Sequence, residues 1–154
     1  STRGQGDSSV SSASQESAKV PDRPRAVSKP APNVEEEDDF EFANRIVSYN
    51  VLEFEIKRLQ EAVKTLEMKG AVVPLSFGNR LQALDFRKDM LQIQVDSGVL
   101  SLEAYLGQLR NAVPAEKVRS KTLKDRGAVR QALDALKHAQ IMQQELSEAL
   151  KQSE

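Results

Sequence analysis

Tyr49, Leu52, Ile56, Leu59, Val63 and Leu66 follow one another at intervals of three, four, three, four and three, and no other feature constrains the fold as tightly. Apolar side chains recurring about every 3.5 residues line one face of an α-helix; they cannot line one face of a strand, whose period is about two. The pattern is the seam of a coiled-coil or bundle helix, and such a seam must be covered by another helix. Ile46, Val51 and Phe54 lie off the seam and widen the apolar surface at its N-terminal end. Gly70 is a natural stop, and Pro74 forbids simple continuation while suiting the first turn of a new helix. One long helix is therefore predicted over about residues 44–69.

Three more helices follow by the same reasoning. The second, about 75–97, carries two stripes. Phe77, Leu81, Leu84, Leu91 and Val95 form one, interrupted by Lys88, and Ala83, Phe86, Met90 and Ile93 form the other. A helix apolar on two sides needs neighbours on both, which makes it the candidate for the centre of the bundle. Gly98 as C-cap and Ser101 as the next N-cap separate it from a third helix over 101–124, with Leu102, Leu106, Leu109 and Val113 along it. Pro114 removes one internal hydrogen bond and crowds the preceding turn, so a break is expected near 114. After Gly127, Val129, Ala132, Leu136, Ala139, Leu146 and Leu150 form the seam of a last helix over 128–151, broken at Gln143 and flanked by Leu133, Ile141 and Met142. Short connections make sequential helices antiparallel. The fold class expected is all-α, an antiparallel three- to four-helix bundle or set of coiled-coil hairpins over 39–152, with few or no strands.

Ahead of it, residues 1–34 show no apolar period and hold four of the six prolines. Such a segment cannot bury enough apolar area to offset roughly 1–2 kcal/mol of backbone ordering per residue, so residues 1–38 are expected to form a disordered Ser/Pro-rich and acidic linker. The chain opens on Ser, as a piece of a longer protein would. No run approaches the roughly 18 apolar residues of a membrane span, and no signal peptide is apparent. The absence of cysteine excludes a thiolate nucleophile and a cysteine-based metal site, and fits a reducing compartment. A cytoplasmic location is expected. The net charge of −1 gives no reason to expect nucleic acid as a partner.

Little in the chain points to chemistry. His138, the one histidine, has no HExxH context and no nucleophilic motif around it, and its ordinary reading is an exposed or half-buried bundle histidine. No glycine-rich phosphate loop occurs. Glu53 and Lys57, four residues apart, read as a helix-surface ion pair and not as part of an acid/base dyad. No enzyme, cofactor or metal is expected. Two charged segments remain as candidate partner-binding sites. The acidic run Glu35–Glu41 ends in Phe40 and Phe42, rings that could fill pockets in a partner whose basic rim meets the carboxylates; packing on the bundle is the ordinary alternative. Lys117, Arg119, Lys121, Lys124, Arg126 and Arg130 face only Glu116 and Asp125. Residues 117–130 could contact anionic lipid or an acidic protein, form a solvated face, or cover the acidic segment of the same chain.

With the helices placed, Ser48, Val51, Leu52, Phe54, Leu59, Val63 and Leu66, then Pro74, Gly98, Tyr105 and Leu109, and the "AVRQALDAL" helix resemble a known family. They look like the C-terminal helical region of the coiled-coil-and-C2-domain proteins, the Lethal giant discs family. The less generic points are "SYNVLEF", Pro74 and "EAYLGQL"; Pro114 departs from the pattern. The resemblance covers about residues 45–150, and the segment before Ser48 is similar to the linker after that family's C2 domain. It implies a non-enzymatic scaffold, associated with endosomes, that regulates ESCRT-III-dependent endosomal sorting and receptor signalling. ESCRT-III subunits would be bound by other domains of the full-length protein. The helical region would dock partners, self-associate or brace the C2 domain. The alternative from the residues alone is a structural coiled-coil dimerisation segment of a centrosomal or cytoskeletal protein.

Overall fold

The structure, a computed structural model, describes residues 37–152. The expected disordered linker lies, up to residue 36, outside the described residues. Five helices make up the described part: α1 (Asp39–Arg45), α2 (Tyr49–Met68), α3 (Leu75–Asp96), α4 (Leu102–Asp125) and α5 (Val129–Gln152). Among the described residues there is no strand, and no helix is long and apolar enough to cross a membrane. The fold is all-α, as the spacing of apolar residues dictates.

The first helix expected over 44–69 starts later, at Tyr49, and a short additional helix, α1, precedes it. Asp38, which the sequence placed in the linker, caps α1 by accepting from the Glu41 N–H at 2.9 Å. The chain then extends at Ile46, which is only 5% exposed, and restarts at Ser48, whose Oγ accepts from the Val51 N–H at 3.0 Å. The break is stable because its carbonyl is not left bare: Arg87 Nε and Nη2 both donate to the Ile46 oxygen, at 3.1 and 3.0 Å. At the far end of α2, Gly70 takes φ +72, and the N–H groups of Gly70 and Ala71 close onto the carbonyls of Glu67 and Leu66. That pairing is a Schellman motif, which needs a left-handed residue at the position after the cap. Gly127, at φ +84, ends α4 in the same way.

Pro114 lies inside α4, which runs on unbroken from Leu102 to Asp125. The expected break is absent because the residue faces solvent, as does Arg110, whose carbonyl loses its partner, so water can serve that oxygen. Buried Val113 and Ser120 hold both sides of the proline against the rest of the fold.

The helices pair as two hairpins. α2 packs on α3, with α1 lying against α3, and α4 packs along α5; α2 and α5 join the pairs. One apolar core draws on all five helices, with Ile46, Leu52, Leu84, Leu109 and Met142 among its buried members. α3 is not at its centre. Leu84 and Leu91 are buried, and the second stripe is covered only at Ala83; its Phe86 and Ile93 are 57% and 58% exposed. The seam of α5 is also rotated from the expected one: Ala132, Ala135, Ala139, Met142 and Leu146 are buried, while Val129, Leu133, Leu136 and Leu150 point outward. The spacing is still three and four, but small residues face α4, letting Ser120 Oγ reach the Ala132 carbonyl at 2.8 Å.

Candidate functional site

Ionisable and polar side chains meet where the two hairpins join. From α2, Glu55 is 5% exposed, and from α5, His138 is also 5% exposed. His138 Nε2 lies 2.6 Å from Glu55 Oε2. An ionised carboxylate can only accept, so Nε2 carries the proton in this pair. Arg58 donates to both Glu55 oxygens, at 2.7 and 3.0 Å, and to Asp134 Oδ1 at 3.0 Å. Burial works to raise the Glu55 carboxyl, yet the His138 hydrogen bond and the charges of His138 and Arg58 together hold it below the usual carboxylate range. Burial likewise opposes the Arg58 charge, but Asp134 and Glu55 hold its pKa above the ordinary value.

On the other side of the imidazole, His138 Nδ1 lies 3.9 Å from Glu116 Oε1, a buried oxygen with no hydrogen-bond partner. A cavity of about 30 Å³ opens beside it, lined by Arg45, Val51, Ala112, Glu116, His138 and Met142. That volume suits a water molecule; it is too small for an organic substrate. Arg45 reaches Glu116 at 3.8 Å and holds Glu37 in a two-pronged grip at 2.9 Å for each bond. The hydrogen bond from Arg45 holds the Glu37 carboxyl below its usual range despite partial burial.

A second cluster sits at the start of α2. Ser48 Oγ and Tyr105 Oη donate to the two oxygens of Glu145, at 2.7 and 2.5 Å, and Tyr105 Oη accepts from the Tyr49 N–H at 2.8 Å. Burial and the Glu145 hydrogen bond push the Tyr105 phenol well above its ordinary value. The hydroxyls of Ser48 and Tyr105 and the Tyr49 N–H each have an acceptor, and Tyr49, Tyr105 and Glu145 also line a cavity of about 190 Å³ with Leu91, Val95 and Leu102. The first cluster ties α2 to α5, and the second ties the start of α2 to both α4 and α5.

The candidate partner-binding residues are distributed differently. Phe42 packs against the core with the Arg80 guanidinium 4.1 Å from its ring and that of Arg45 at 5.6 Å; Phe40 is 58% exposed. Asp39 pairs with Arg80 at 2.9 Å, so the ion-pair partners of Glu37 and Asp39 nearest at hand are Arg45 and Arg80. From the basic run only Arg119 lowers the Glu37 carboxyl by its charge, and it pairs with Glu116 at 3.5 Å. Lys117, Lys121, Lys124, Arg126 and Arg130 are exposed. Glu53 pairs with Lys88 of α3, at 3.8 Å, across helices and not along its own. Among the described residues, no group of three or more metal-ligating side chains is arranged to hold an ion.

His138 is thus buried and paired, not exposed or half-buried, and the sequence reading did not single out Glu55, Glu116, Glu145 or the hydroxyl of Tyr105. A signal for Glu55 and His138 was there: each stands three or four residues from apolar side chains on the inward arc, Glu55 after Leu52 and His138 before Met142. No family model matches the chain, and no curated protein or solved structure matches it.

Proposed function

We propose that the chain is a non-enzymatic helical interaction module of a scaffold protein. The carrying observation is the direction in which its ionisable groups point. Glu55, His138, Arg58 and Glu145 are consumed in ties between helices, and the exterior keeps apolar stripes on α3 and α5 and a row of lysines on α4. Such outward apolar surface marks recognition of other macromolecules. With the resemblance to the Lethal giant discs family, this reading becomes a module of a regulator of ESCRT-III-dependent endosomal sorting and receptor signalling, working in the cytoplasm at endosomes. The centrosomal or cytoskeletal coiled-coil alternative needs an uninterrupted rod, and the helices here fold back on one another.

The test is direct binding of the purified chain to purified ESCRT-III subunits, read by interferometry, together with pelleting of their filaments in its presence. Saturable binding or altered filament yield is expected, weakened by Lys117→Glu/Lys121→Glu or by Phe86→Ser/Ile93→Ser. No binding and unchanged filaments would remove the ESCRT-III assignment. Vesicles containing phosphatidylserine, tested beside the proteins, separate lipid contact at 117–130 from protein contact.

A further inference from the structure

Two outward stripes on this chain match each other. On α3, Phe86, Met90 and Ile93 are 57%, 37% and 58% exposed; on α5, Val129, Leu133 and Leu136 are 55%, 60% and 40% exposed. Both sets are spaced by four and then three residues. At about 100° per residue, the α3 stripe lies on the side of its helix away from Leu84 and Leu91, where nothing described covers it.

Their charged edges are opposite in sign. Asp85, Asp89 and Asp96 border the α3 stripe and are exposed. Among the described residues none of the three pairs with a basic side chain; Asp96 accepts only from Gln92 on its own helix, at 2.9 Å. Arg130 and Lys137, both exposed, border the α5 stripe. Lys137 Nζ leans over the Phe54 ring at 5.8 Å and has no carboxylate partner among the described residues.

We propose that these two surfaces meet between copies of the chain: the α3 stripe of one copy seats on the α5 stripe of another, with Asp85, Asp89 and Asp96 facing Arg130 and Lys137. Helix geometry also sets the direction. The aspartates lie on one side of their stripe and the basic residues on the opposite side of theirs, and such edges meet only when the two helices run parallel. Antiparallel pairing of α3 with a second α3 would set aspartate edge against aspartate edge, which is repulsive. The inference rests on the interaction-module reading and names a partner for it. Three apolar side chains on each face fall short of the roughly 800 Å² per partner of a stable interface, so association on the order of 100 μM is expected.

Sedimentation of the full chain from about 10 μM to about 1 mM spans that range. The wild type should associate reversibly and less well in high salt. Asp85→Lys/Asp89→Lys and Arg130→Glu/Lys137→Glu should each weaken association at least tenfold. An equimolar mixture of the two variants should recover it to within about threefold of wild type, since each variant then offers the other complementary edges. Leu133→Ser, which alters no charge, should also weaken it, and circular dichroism checks that every variant stays helical. A wild type that remains monomeric throughout, charge variants that associate like wild type, or a mixture that fails to recover would each overturn the proposal. A monomer that still binds ESCRT-III subunits would sink this inference alone; a self-associating chain that ignores them would sink only the ESCRT-III assignment.

Discussion

Glu55 decides more than any other residue, because it answers both His138 and Arg58 from inside the fold. Glu55→Ala leaves the imidazole buried without its acceptor and should cost about 3 kcal/mol, whereas Glu55→Leu with His138→Leu should recover much of that loss; urea unfolding reads both. Its pH dependence has a definite sign. The folded carboxyl titrates below the ordinary value of 4.5, so its stabilisation is whole above about that pH and is lost as pH falls through the lowered value. The stability gap between wild type and Glu55→Gln should narrow below pH 4.5. Tyr105→Phe removes a donor to Glu145 and the acceptor of the Tyr49 N–H, and should cost about 1–3 kcal/mol in the same measurement. In the sequence these roles were hard to see. A glutamate one turn from a leucine reads as surface, and only the approach of α5 makes it an interior group. Ser48 was easier, since a serine before an apolar-periodic run is itself a cap signal.

At the scale of the element, α4 holds a proline that it does not need. Pro114→Ala would restore the bond to the Arg110 carbonyl at an exposed site, and thermal unfolding should show a gain of about 1–3 kcal/mol, part of the interior-proline cost being offset by the freer unfolded chain. α5 makes the opposite point about size. Ala135 and Ala139 are 0% and 1% exposed, and Ala139→Leu should destabilise by about 1–3 kcal/mol through overpacking. Those alanines also explain what the sequence hid. The period of α5 was plain, with Ala132, Ala139 and Leu146 on both the expected and the observed seam. Its phase was not, because ranking by hydrophobicity favours Val129, Leu136 and Leu150, while close approach to α4 favours small side chains. α3 misleads for a related reason: two apolar faces predict internal neighbours on both, but the second faces outward from Phe86 to Ile93. The break at Ile46–Ser48 depends on Arg87, which lies 41 residues away from the carbonyl it serves, and no local pattern announces such a partner.

For the molecule as a whole, the class of fold follows from apolar spacing and from Gly70, Pro74, Gly98 and Gly127, which set the number of turns. Which hairpin meets which, and through what, required the tertiary contacts. The polar ties from α2 to α4 and α5 are concentrated on Glu55, His138, Arg58, Asp134, Ser48, Tyr105 and Glu145. Hydrogen exchange on Glu55→Gln/Tyr105→Phe should therefore show faster opening where α2 meets α5, with slower amides inside the α4–α5 pair, whose contact is the more extensive.

The stretch 97–101 is the covalent joint between the hairpins, and α3 and α4 make little contact along their lengths. The two pairs nevertheless share one core and are stitched across it by Tyr105 and Glu145 close to that joint and by His138 and Glu55 farther along. Parting the pairs would bare Leu52, Leu84, Leu109 and Met142 to water together, so the seam between them opens at the expense of the whole interior.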